Sequence, residues 1–186
     1  MAAGRTPVTS LAGRTTLLTG ATGSLGRAIA EAYCRAGALL LLSSRDEAAL
    51  RSLAADLSAK YSTDVSTLAC DLSHGDDVRR LADESRRRFG GLDILVNTAA
   101  VIGPIGPVWE NEWSEWRYAI ETNFLAAVRL CQLCVPFLPV SSGRGKIVNL
   151  SGGGATSPRP RFSAYAAAKT GLARFSETLD NQLFTV

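Results

Sequence analysis

Tyr165 and Lys169 close the run Tyr165-Ala166-Ala167-Ala168-Lys169 and stand four residues apart. On a helix that spacing puts both side chains on one face. A phenol can give a proton to a carbonyl oxygen or take one from an alcohol. An ammonium group one turn away favours the phenolate. The pair suits a reaction in which hydride moves at carbon while a proton moves at oxygen. On its own the pattern also fits a half-buried tyrosine beside a solvated lysine. A second candidate is Thr19-Gly20-Ala21-Thr22-Gly23-Ser24-Leu25-Gly26. Gly20 allows a tight turn, Gly23 lets a pyrophosphate approach the backbone, and Gly26 lets a helix pack closely. The N-terminus of the helix that follows offers free N–H groups and partial positive charge to phosphates. The plain alternative is a tight strand-to-helix turn. A third is Ser43-Ser44-Arg45, two hydroxyls and a guanidinium that fit a ribose 2′-phosphate. An acid there would instead bind the ribose hydroxyls, and Asp46 one residue later keeps that reading open.

These residues need a frame, and the hydrophobic pattern supplies one. Apolar or β-branched runs predict strands at 15–19, 38–42, 65–70, 92–97 and 146–150. Helical spacing predicts helices at 24–36, 46–60, 76–89 and 112–137, with a last one from Ser163 to about Leu183. In the first helix Leu25, Ile29, Ala32 and Tyr33 share a face; in the second Leu50, Leu53, Ala54 and Leu57 do. Gly37 ends the first helix. The continuous apolar run at 38–42 belongs to a parallel sheet covered on both sides. Alternating strands and helices imply a doubly wound α/β (Rossmann) parallel sheet with helices on both faces. Its ligand site lies beyond the carboxyl ends of the strands, where strand order reverses. That points to the loops after Gly20 and Asn97.

The chain has 186 residues, 46% hydrophobic and 20% charged, as in an ordinary globular domain. A Rossmann domain over 14–186 follows an N-terminal extension of 1–13. A net charge of +3 gives no footprint for nucleic acid. Arg86-Arg87-Arg88 reads as the solvated face of a helix. No run is long enough to span a bilayer, and residues 1–13 lack the apolar core of a signal peptide, so the expected location is cytoplasmic. Cys131 and Cys134 form a CxxC, but with no second pair and His74 as the one histidine they read as small core residues, and no metal is expected.

Taken together, the glycine turn, Asp71 after the third strand, Asn97-Thr98-Ala99-Ala100 after the fourth, Asn123 in the long helix, and Tyr165 with Lys169 resemble the short-chain dehydrogenase/reductase family, single-domain branch. The resemblance runs from about Thr15 to Leu179. It implies an NAD(P)-dependent oxidoreductase acting on a small carbonyl or alcohol; the hydroxyls and guanidinium of Ser43-Ser44-Arg45 favour NADP over NAD. It implies catalytic roles for Tyr165, Lys169 and Asn123, the last through a water in a proton relay. It implies cofactor contacts from Gly20, Thr22, Gly23, Ser24, Leu25, Gly26, Ser44, Arg45, Asp71 at the adenine, Leu72, Asn97, Ala99, Tyr165 and Lys169. Family analogy also implies a homodimer or tetramer through the two long helices.

Three features depart from the family. Its catalytic serine stands thirteen residues before the tyrosine, and that position is Gly152. Ser151 is the expected substitute, with Ser163 and Thr156 as the other hydroxyls in range. Ser24 occupies a position where single-domain members generally have glycine, a spacing shared with the branch that modifies nucleotide sugars. Finally, the chain stops at Phe184-Thr185-Val186, where family members continue into further strands. The expectation is a sheet lacking its C-terminal strands. The alternative function is a weakly catalytic dinucleotide-binding protein that acts by pairing with a full-length partner. Trp109, Trp113 and Trp116 flank the loop after Asn97 and suit either substrate contact or packing.

Overall fold

Leu39, Leu40, Leu41 and Leu42 leave their strand with no polar face. That strand must have cover on both sides, and it does. The computed structural model describes residues 10–139 and 144–184. In it β1 (Thr15–Thr19), β2 (Leu39–Ser44), β3 (Val65–Ala69), β4 (Ile94–Asn97) and β5 (Lys146–Asn149) form one parallel sheet, ordered β3-β2-β1-β4-β5. Successive side chains on a strand point to opposite faces. Leu17, Leu41 and Leu95 therefore pack beneath α3 (Gly75–Phe89) and α5 (Ala126–Cys134). Leu18, Leu40, Leu42, Ile94 and Val96 pack beneath α1 (Ser24–Arg35) and α2 (Glu47–Tyr61). The doubly wound fold is as the pattern implied. β5 differs from the inner strands: Ile147 joins the core, while Val148 is 40% exposed.

The chain moves outward from β1 to β3 in one direction and from β4 to β5 in the other. β1 and β4 stay paired to their carboxyl ends, and the connections that leave them run to opposite sides of the sheet. Thr98 holds the two strand ends together: its hydroxyl donates to the Thr19 carbonyl oxygen at 2.6 Å, and its N–H donates to Thr19 Oγ1 at 3.3 Å.

Two expectations need correction. The helix expected over 112–137 is not one regular helix. It consists of α4 (Trp113–Ile120), a π-helical turn at Glu121–Leu125, α5, and a 3-10 turn at Val135–Phe137. Within the π turn the Ala126 N–H donates to the Glu121 carbonyl, five residues back. Asn123 lies in this turn with its side chain tied to Val101 of a neighbouring loop; single π turns of this kind recur at functional sites. Pro136, with no N–H to give, closes the stretch. The second correction concerns α1. Its buried face is Gly26, Ala30 and Cys34, with Ile29 and Tyr33 at its margin, and Leu25 is 54% exposed. Leucine hydrophobicity alone pointed the helix wrongly; its small residues, which let it approach the sheet, mark the true contact.

Other readings agree with the structure. Leu50, Leu53, Ala54 and Leu57 are all buried in α2. Arg87 pairs with Glu84 and Arg88 with Asp64 on the exposed side of α3. Cys131 and Cys134 are buried free thiols in the core; burial pushes them to about 11 and about 12. Of the N-terminal extension, residues 1–9 lie outside the described residues, as do 185–186 at the chain end. Leu11 and Gly13 donate to Ala36 and Gly37 at the end of α1. Among the described residues no helix is long and apolar enough to cross a membrane.

Candidate active site

The turn from β1 into α1 packs tightly against the loop after β4. Gly20 has φ +66°, and a Cβ there would lie 2.7 Å from the Ala99 main chain. A Cβ on Gly26 would fall onto the Gly20 carbonyl oxygen. Neither position tolerates a side chain, so β1, its turn, and the loop after β4 are held in close contact. Gly23 is the N-cap of α1 and provides no side-chain cap; the first turn carries no acidic residue. The unpaired N–H groups and the helix dipole therefore face outward with nothing to neutralise them.

That turn forms one wall of a cavity of about 740 Å³ beyond the carboxyl ends of β1 to β4. Of the residues expected at the cofactor, Gly20, Thr22, Gly23, Ser24, Leu25, Gly26, Ser44, Arg45, Asp71, Leu72 and Ala99 line it. Asn97, Tyr165 and Lys169 do not line this cavity. The Thr22 hydroxyl donates to Ser44 Oγ at 3.0 Å, joining the glycine turn to the end of β2. Asp46 caps α2 and accepts from the Ala49 N–H at 2.9 Å, so one of its oxygens is already committed. Arg45 extends across the cavity, and its Nη1 donates to Tyr118 Oη on α4 at 2.6 Å. Burial alone would raise the Asp71 carboxyl. Two bonds from Ser73, aided by the charges of His74 and Arg45, hold it below its ordinary value. Asp71 is thus an acceptor fixed at the cavity wall. Thr122 Oγ1, also in the wall, is buried with no hydrogen-bond partner among the described residues. These features fit a dinucleotide: glycine backbone and a helix N-terminus for pyrophosphate, hydroxyls and a guanidinium for the ribose end, and the buried Thr122 hydroxyl in the wall.

Tyr165 and Lys169 lie on α6 (Ser163–Phe184), which packs beside β5. Lys169 is 2% exposed, and its Nζ donates to the Leu150 carbonyl at 2.7 Å. Its Nζ is 6.0 Å from the centroid of the Tyr165 ring. Burial pulls the ammonium down from 10.5 to about 8. The hydroxyl of Tyr165 occupies the space of the missing side chain at 152: a Cβ on Gly152 would lie 2.5 Å from it. Gly152 is extended, at φ −166°, so its backbone suits any residue. Ser151 is exposed, and its hydroxyl is 3.5 Å from the Lys169 carbonyl, a distance too long to hold it. Of the other hydroxyls in range, Ser163 accepts the Trp116 indole N–H at 3.1 Å and Thr156 donates to Gly153 O at 3.3 Å. Trp116 therefore joins α4 to α6 and stacks on Trp113 at 5.3 Å, while Trp109 and Trp113 are 82% and 68% exposed.

Asn123 is buried, and its side chain is fully engaged. Oδ1 accepts from the Val101 N–H, and Nδ2 donates to the Val101 carbonyl, both at 2.7 Å. A relay water at this residue would have to use its main chain. Asn97 pairs across the sheet with Asn149, donating to its Oδ1 at 2.8 Å; Asn149 in turn donates to Ser176 on α6. This buried polar chain ties β4, β5 and the helix of Tyr165 together. Sequence reasoning missed Tyr118 and Thr122 as cavity residues. Their distance from the glycine turn along the chain hides them, and nothing in the helical spacing over 112–137 marked them.

Comparison with known proteins agrees with this fold. A family model described as short chain dehydrogenase matches residues 14–185. The 11-beta-hydroxysteroid dehydrogenase A of Sesamum indicum is 33% identical over 169 residues, 91% of this chain and 48% of that protein. A short chain dehydrogenase/reductase of Colletotrichum higginsianum is 34% identical over 88% of this chain and 61% of its own length. The chain spans about half the length of the curated relatives it matches. Among solved structures, L-sorbose reductase from Gluconobacter frateurii, complexed with NADPH and L-sorbose, superposes with a TM-score of 0.89 at 30% identity, covering 95% of this chain and 66% of that one. A metagenomic short-chain oxidoreductase in complex with NADP gives 0.88 at 31%, covering 94% and 78%.

Proposed function

Because this chain belongs to the short chain dehydrogenase family, we propose that it is an NAD(P)-dependent oxidoreductase, preferring NADP(H), that acts on a small carbonyl or alcohol. The nicotinamide supplies or accepts the hydride when bound. The chain's own residues move the proton. In reduction Tyr165 gives its hydroxyl proton to the substrate oxygen as hydride reaches carbon; in oxidation it takes that proton back. Lys169 keeps positive charge beside Tyr165 and stands next in line to replace the proton. Asn123 contributes its main chain to the relay, because its side chain is spent on Val101. Ser151, only loosely held, rotates to give the substrate oxygen a second donor.

The observation that carries this reading is the burial of Lys169 beside Tyr165. A lysine is taken out of water at a cost and would otherwise be at the surface. Its placement behind a tyrosine is what proton transfer needs. The preference for NADP(H) is supported by Arg45 and Ser44 at the end of β2, and by the commitment of Asp46 to its helix.

Two measurements test the proposal. The thermal midpoint should rise with the logarithm of cofactor concentration, and more for NADPH than for NADH. Against a panel of carbonyl compounds, Tyr165→Phe should keep the NADPH shift and lose about 10²–10⁴-fold in turnover. Ser151→Ala should lower kcat by about 100-fold with little change in KM. No midpoint shift with either cofactor, or full turnover by Tyr165→Phe, would refute the reading.

A further inference from the structure

The stretch of sequence that carries Tyr165 is basic. Between Leu150 and Ser176 the chain carries Arg159, Arg161, Lys169 and Arg174, and no aspartate or glutamate. Arg174 pairs with Glu177, and Lys169 is buried. Arg159 is exposed and has no carboxylate partner among the described residues. Its guanidinium carbon is 4.3 Å from the centroid of the Phe162 ring and 5.4 Å from that of Tyr165. Pro158 and Pro160 flank it and restrict its backbone. The loop is also tied down, since the Gly106 N–H donates to the Arg161 carbonyl at 3.0 Å.

A guanidinium against aromatic rings is held through its π-face, and its in-plane N–H groups stay free. Those N–H groups match a carboxylate, which they can bind in bidentate fashion. With Gly152 in place of the family's serine, the site lacks the fixed hydroxyl that would orient a carbonyl against Tyr165. A substrate held at one point pivots; a charge fixed beside the tyrosine ring supplies a second. We propose that Arg159 binds a carboxylate on the substrate, so that the compounds this site takes are oxo-acids or the corresponding hydroxy-acids. This rests on the oxidoreductase reading given above.

The test uses the whole chain with saturating NADP+, so that binding is read without hydride transfer. Pyruvate, acetoacetate and levulinate, which differ in the distance from carbonyl to carboxylate, are each compared by calorimetry with their methyl esters. At least one acid should bind about tenfold or more tightly than its ester. Arg159→Gln should bring that acid down to the affinity of its ester, Arg159→Lys should recover part of the loss, and the ester should be unaffected. Because Arg159 is exposed, both variants should keep the parent's thermal midpoint. Equal binding of acids and esters, no binding of any probe, or an unchanged acid affinity in Arg159→Gln would overturn this inference alone. Failure of NADP+ itself to shift the midpoint would overturn the oxidoreductase reading along with it.

Discussion

Replacing Lys169 by methionine should make the protein more stable and less active. Lys169 is 2% exposed, and burial lowers its ammonium from 10.5 to about 8. At about 1.4 kcal/mol for each tenfold change in proton affinity, holding this charge in the fold costs about 3 kcal/mol. Methionine fills similar space without the charge. It leaves the Leu150 carbonyl without its donor, a loss of about 1 kcal/mol. The net gain at pH 7 is therefore about 2 kcal/mol, which in a domain of this size raises the thermal midpoint by about 4–8 °C. The sign with pH follows from proton counting. Between about 8 and 10.5 the unfolded chain holds the lysine proton and the native chain does not, so wild-type stability gains from rising pH there. The advantage of the variant is thus complete below about pH 8, shrinks as pH rises, and by about 10.5 gives way to the loss of about 1 kcal/mol at the Leu150 carbonyl. Calorimetric midpoints of both proteins at pH 7 and near pH 10 measure this, and groups common to both cancel in the difference. A variant less stable at pH 7, or a gain of equal size at both pH values, would refute the argument.

The adenosine end of the cavity and the glycine turn offer further tests. Arg45→Ala should weaken NADPH binding about 10–100-fold and leave NADH nearly unchanged, as loss of a charge-assisted phosphate contact requires. Tyr118→Phe should show the same selectivity at about 2–10-fold, because Tyr118 holds the guanidinium across the cavity; equal losses for both cofactors in fluorescence titrations would argue against it. Gly26→Ala drives a methyl into the Gly20 carbonyl and should cost about 1–3 kcal/mol in urea unfolding, together with cofactor affinity.

Much of this protein was legible along the chain because the informative spacings are short. A run of leucines that cannot tolerate a wet face announces an inner parallel strand, and β2 is covered on both sides. Three glycines between a strand and a helix announce a turn with room for a ligand, and Gly20 and Gly26 show the steric need for glycine. Tyr165 and Lys169 share a helix face because they are one turn apart. What lay beyond the sequence was every relation set by strand order and packing. Arg45 meets Tyr118 across 73 residues because β2 and α4 face each other over the crevice beside β1. Asn123 spends its side chain on Val101, and the helix around it widens into a π turn that periodicity had drawn straight. Leu25 faces the cavity instead of the core because small residues let α1 approach the sheet more closely than leucine would. Local spacing sets what a residue can do; which partner it meets is decided only when distant segments compete for the same space.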